Sequence, residues 1–268
     1  LRRFIRRRGE EARWASADPK LSFFFVSCAG TLDGLAGLRQ GLGLDLVPFA
    51  VAKSTRDRVR DESDGELDAG LDLFWRLTSS TKLALSCNTD FAETEVDSRQ
   101  VNLTRFSLSF PEKREFFLEG AGLFTFGAVT GTSAADAPVI FYSRSIGLSR
   151  GKALPVIAGG RLTGRAGPWS IGALNIEVGK DEALNVRRTN FAALRLRRSL
   201  FARGSVGGIF TRRSISTVAA GSNEAWGLDA AVGVRKYVNF GGYVARTRTA
   251  GMDDKALSYR GQFNYDHD

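Results

Sequence analysis

The sequence predicts an all-β fold, an antiparallel meander forming part of an outer-membrane-type β-barrel. Three observations carry that expectation. Around a dozen stretches of about 8–11 residues read as strands, the length that crosses a bilayer at a tilt. In two of them every second residue is apolar: Trp226, Leu228, Ala230, Val232 and Val234, with Asp229 and Arg235 between, and Leu257, Tyr259, Gly261, Phe263 and Tyr265 against Ser258, Arg260, Gln262, Asn264 and Asp266. No helical period of comparable length appears, and no stretch approaches the ~20 apolar residues of a transmembrane helix.

In chain order, the first segment is the basic run LRRFIRRRGEE (1–11), a strand or linker whose charges suit water or anionic head groups. Leu21–Ala29 reads as a strand. A glycine-punctuated connector (30–43) leads to a second strand, Leu44–Ala52, which Pro48 assigns to an edge or an irregular position. Ser54–Gly65, STRDRVRDESDG, reads as a charged loop. Leu71, Leu73, Trp75 and Leu77 then share one face, and the turn Ser79-Ser80-Thr81 joins them to Lys82–Asn88 as a hairpin. Thr130–Pro138 is a small-residue loop, followed by Val139–Leu148 with Phe141, Tyr142 and Arg144. Later hairpins turn at Gly167-Pro168, at Leu200–Gly204 and at Lys236–Asn239.

Composition narrows the function. The 268 residues carry a formal charge of +9, with 30 Gly, 19 Phe and only 6 Pro. Glycine and aromatic residues in that abundance suit short strands, tight turns and interfacial girdles. The basic residues are spread over many segments and alternate with apolar ones, as in Leu194-Arg-Leu-Arg-Arg, which argues against nucleic acid as a partner. Two cysteines, Cys28 and Cys87, read as small apolar residues or as one bridge. With the single His267 they offer no zinc spacing and no nucleophilic triad, and there is no GxSxG elbow.

The unusual stretch is 88–127, NTDFAETEVDSRQVNLTRFSLSFPEKREFFLEGAGLFTFG. It opens on an acidic comb, Asp90, Glu93, Glu95 and Asp97, beside Arg99 and Arg105. After Pro111 comes a knot of charge and aromatic rings, Glu112, Lys113, Arg114, Glu115, Phe116, Phe117 and Glu119, closed by Gly120-Ala-Gly122. Unpaired buried charge is costly, so these residues are expected to pair with one another in a lumen or at a barrel rim. That structural network is the leading assignment. The comb's oxygens could instead bind Ca²⁺ or a ligand, or a carboxylate pair could act as acid and base on a glycan. No cofactor is otherwise indicated.

The residues Asn88-Thr-Asp-Phe-Ala, Glu95-Val-Asp, Gln100-Val-Asn-Leu-Thr-Arg-Phe and Phe110-Pro-Glu-Lys-Arg-Glu-Phe-Phe-Leu-Glu-Gly resemble the signature of the DUF5916 family. Phe4-Ile-Arg-Arg-Arg-Gly-Glu-Glu and Gly159-Gly-Arg-Leu-Thr-Gly resemble it as well. The resemblance implies an envelope protein of a Gram-negative bacterium, in which a carbohydrate-binding-module-9-like domain commonly precedes an outer-membrane barrel. It implies outer-membrane lipid as a partner and a glycan reached through a domain outside this chain. The expectation is one incomplete barrel-like domain over 1–268, continuing on both sides, and a non-enzymatic role in ligand passage or glycan binding. The alternative is an envelope hydrolase using carboxylates of the 90–119 motif.

Overall fold

The computed structural model describes residues 2–13, 15, 29–34, 41–57, 62–89, 111–127, 138–149, 152–235, 237–252 and 256–265. The chain divides into two compact units, Leu1–Gly41 and Leu42–Asp268. In the first, the basic run forms a hairpin of β1 (Arg2–Ile5) and β2 (Glu10–Arg13), turned at Gly9 with φ 62°. The expected strand Leu21–Ala29 lies outside the described residues, apart from Ala29.

The second unit is one ten-stranded antiparallel sheet. Its strands are β3 (Leu44–Asp57), β4 (Glu62–Thr78), β5 (Thr81–Thr89), β8 (Val156–Ala166), β9 (Trp169–Val178), β10 (Thr189–Leu200), β11 (Gly204–Arg213), β12 (Asn223–Arg235), β13 (Val238–Thr249) and β14 (Leu257–Tyr265). They lie side by side in chain order, as expected of a meander. The single detour is the segment 90–155, which leaves at the end of β5 and returns as its neighbour β8. Within the detour, β6 (Leu148–Ser149) and β7 (Lys152–Ala153) make a minimal hairpin. Among the described residues the sheet is open, with β3 and β14 as its edges.

Most elements follow directly from local chemistry. Apolar alternation sets β4, β5 and β12 to β14, and the expected turns at Ser79-Ser80, Gly167-Pro168 and 201–203 join β4 to β5, β8 to β9 and β10 to β11. Gly167 sits at φ 56°, a conformation that suits a residue without Cβ. Pro48 falls in edge strand β3, where its missing N–H costs the ladder least. The stretch Ser54–Gly65 is a correction. Its described parts, 54–57 and 62–65, are strand and not loop: β3 and β4 are paired from Ser54↔Gly65 to Asp57↔Glu62. A ribbon projecting from a sheet needs no apolar face, so dense charge does not end it.

The register sorts side chains into two faces. One carries Leu44 and Leu46 of β3; Leu71, Leu73 and Trp75 of β4; and Leu83 and Leu85 of β5. It continues through Leu162, Trp169, Ile171, Leu194 and Leu196 to Phe210, Trp226, Leu228, Phe240, Val244, Tyr259 and Phe263. Many of these are exposed, Leu228 to 62% and Tyr259 to 76%, as is Leu67 of β4, on the same face, to 82%. The opposite face carries Asp72, Arg76, Lys82, Arg161, Arg165, Arg195, Arg197, Asp229 and Arg260, and the detour packs against it.

Candidate functional site

The described part of the detour is built to grip that polar face. A single helical turn, α1 (Glu115–Leu118), buries Phe116 and Phe117. Gly120 at φ 72° reverses the chain into a 3₁₀ turn, Ala121–Phe124, that buries Phe124. Phe116, Phe117, Phe124, Ile146 and Leu154 close on Ala84, Val156, Leu174, Ile176, Val178 and Ala193 of the sheet, and Phe126 closes on Ile209 and Ala245. Two strand glycines leave room for the rings. A Cβ on Gly172 would stand 3.0 Å from Phe124 Cζ, and one on Gly227 would stand 2.5 Å from Phe126 Cζ.

Three arginine–carboxylate groups accompany these rings. The first lies within the detour. Arg114 donates from Nε and Nη2 to the two oxygens of Glu112, both at 2.8 Å, and stacks 4.2 Å from the Phe117 ring centre. The Ser143 hydroxyl donates to Glu112 at 2.7 Å, Arg144 approaches to 3.8 Å, and Arg114 also donates to the Ile146 and Ser143 carbonyls. Burial works to raise the Glu112 pKa, but the hydrogen bonds from Arg114 and Ser143 and the Arg114 charge outweigh it. The result falls from 4.5 to about 2.

The second group fastens the detour to the sheet. Arg161 of β8 donates to the Glu119 carbonyl and, at 3.1 Å, to its carboxylate, which also takes Lys82 of β5 at 2.8 Å. Arg161 lies 5.3 Å from the Phe116 ring centre. In the third, Arg195 of β10 donates twice at 2.7 Å to Asp229 of β12, whose carboxylate also accepts the Gly127 backbone N–H at 3.0 Å. Arg161 and Arg195 are among the most deeply buried large side chains described, each 2% exposed.

A cleft of about 300 Å³ opens between Phe117, Phe124, Phe126 and Phe141, with Glu112 and Arg161 at its wall. The chemistry of this neighbourhood is cohesive. Glu112 stays ionised throughout the neutral range, so it is a poor proton donor.

Of the residues singled out from the sequence, Glu112, Arg114 and Glu119 enter these networks. Lys113 and Glu115 are exposed beside them. Asp90, Glu93, Glu95, Asp97, Arg99 and Arg105 lie outside the described residues, and with them the Ca²⁺ alternative. Among the described residues, no group of three or more His, Cys, Asp or Glu is placed to hold a metal ion. Cys87 is an exposed free thiol, and Cys28 lies outside the described residues. Sequence reasoning did not single out Lys82, Arg144, Arg161, Arg195 or Asp229 as site residues. For Arg161, Arg195 and Asp229 the one local signal is a charge in mid-strand, opposite an apolar row; Lys82 lies at a strand start and Arg144 in the 3₁₀ turn Ser143–Ser145.

The architecture defines an all-β protein whose sheet is covered on its polar face by an inserted, arginine-fastened segment. Residues 41–155 match the model of a protein family described as Domain of unknown function (DUF5916). That span runs from just before β3 to the residue before β8, so the resemblance seen in the sequence holds across the first three strands of the sheet and the whole detour. Comparison with curated proteins and with solved structures found no match.

Proposed function

We propose that the Leu42–Asp268 unit is wall and plug of an outer-membrane β-barrel, with the detour folded into the lumen. The observation that carries this reading is the inverted polarity of the sheet. A soluble sheet covered on one face puts its apolar residues under the cover and its charges in water. Here the covered face holds the buried arginines and Asp229 beside a small apolar core, while an exposed apolar row runs through the strands of the free face, with its charges toward the margins.

Two further features support it. Connections at one end of the sheet are two or three residues long (79–80, 167–168, 201–203, 236–237), whereas the opposite end has 58–61 and the longer 90–155, 179–188, 214–222 and 250–256. Transmembrane barrels combine short periplasmic turns with longer outer loops in this way. On the free face, charge is confined to the margins. Glu177–Arg188, Arg212–Glu224, Arg246 and Arg248 lie toward the long-connection end, and Arg198, over the Trp169 ring, toward the other. The row from Trp226 to Val234 spans about 26 Å at ~3.3 Å per residue, comparable to the ~25 Å apolar band of such barrels. Aromatic residues stand near both margins, Trp75, Trp169 and the paired Phe240 and Phe263 at one, Phe210 and Trp226 at the other.

A lipid-facing wall must close, so the β3 and β14 edges meet each other or further strands in the working protein. The role is ligand passage or capture at the outer membrane, with glycan as the class implied by family resemblance, and without catalysis. Expression in a Gram-negative host tests this. The protein should sediment with outer membranes and resist alkaline carbonate extraction. Recovery in the aqueous fraction without detergent would refute it.

A further inference from the structure

We infer that the short-turn end of the sheet holds a binding site for a phosphate-type anion, independent of the aromatic cleft and of the membrane reading. Register places Arg76, Lys82 and Thr163 side by side on strands β4, β5 and β8, and Arg165 follows two residues on along the same face. With the turn hydroxyls around Ser80 and the overhanging Gly120–Leu123 segment, they enclose a bowl of about 470 Å³. That is room for a phosphate with a group attached.

The charge in the bowl is lopsided. Its one carboxylate, Glu119, is already bound by Lys82 and by Arg161 behind it. Among the described residues, no carboxylate pairs with Arg76 or Arg165. Two guanidiniums and an ammonium thus line one space with the hydroxyls of Ser79, Thr81 and Thr163, while the Ser80 hydroxyl donates to the Arg165 carbonyl at 2.8 Å. Guanidinium donors match the oxygens of phosphate in pairs, and hydroxyls complete such a shell. The ladder shift between Arg76 and Thr78 adds to this, because a bulge re-aims the side chains next to it. A free phosphate ester and a phospholipid head group offer the same chemistry. The bowl lies on the insert-covered face, which favours the soluble form.

The test is calorimetric titration of the full chain in maltoside detergent and low-salt chloride buffer. One arm uses inorganic phosphate, the other phosphatidylglycerol micelles with phosphatidylcholine as control. Saturable binding in either arm is expected, and the arm that binds identifies the source. Arg76→Gln/Arg165→Gln should weaken it at least tenfold, and each single change should weaken it at least threefold. Both arginines are exposed, so these variants should keep the wild-type circular dichroism. Arg246→Gln/Arg248→Gln, near the opposite end, removes the same charge and should leave binding unchanged. No saturable binding in either arm, or equal weakening by the two double variants, would overturn the assignment.

Discussion

Glu112 is the residue on which the detour's own fold turns. Its carboxylate joins Arg114, Ser143 and the approach of Arg144, tying the chain before α1 to the segment near 143–146. Its pKa is lowered in the fold, so its stabilisation is fully present above the ordinary value of 4.5 and is lost as pH falls toward about 2. The difference amounts to roughly 3 kcal/mol. Glu112→Gln should therefore speed amide exchange over 111–127 at pH 6, and that excess over wild type should vanish as pH approaches 2. An excess independent of pH would show that the carboxylate's charge is not what holds the segment.

Asp229 and Arg195 allow a sharper comparison. Asp229→Asn leaves a buried guanidinium without its counter-charge and should cost about 3–5 kcal/mol, whereas Arg195→Met/Asp229→Leu should cost much less. Denaturant titration of the three proteins measures both. A double variant as unstable as the single one would mean that the pair's attraction, and not relief of burial, dominates.

At the scale of elements, the detour and the sheet fit through rings set over glycines. Gly227→Val places bulk where Phe126 sits and should cost about 1–3 kcal/mol through overpacking. Protease sensitivity should rise at 121–127 while strand content is unchanged, and Phe126→Ala should relieve the strain in part.

This scale also explains what the sequence made legible. Hairpins such as β8–β9 and β12–β13 were readable because alternation and turn residues are local. The β3–β4 ribbon was misread as a loop because its charges obey no burial pattern. Part of the charge network was visible in Glu112, Arg114 and Glu119. The sheet partners were not, since Arg161 lies 42 positions from Glu119 and Arg195 lies 34 from Asp229. Those distances close only through the register of the sheet and the docking of the detour on it, which no local pattern encodes.

For the whole molecule, the issue is what covers the free face. An apolar surface of this extent on a monomer in water is a liability, and in hydrocarbon it is the normal state. Leu228→Arg places a charge near the middle of that face. In lipid it should cost about 2–4 kcal/mol of folding free energy, and near zero if the face is bathed by water.

The tryptophans measure the cover most directly. Trp75, Trp169 and Trp226 all lie on the free face. In a Trp14→Phe background, the protein is reconstituted into vesicles whose lipids carry bromine at chosen depths. All three should be strongly quenched, more by bromines near the head groups than at the bilayer centre. Emission unchanged by brominated lipid would contradict the barrel wall, and with it the lumen in which the arginine-fastened plug is placed.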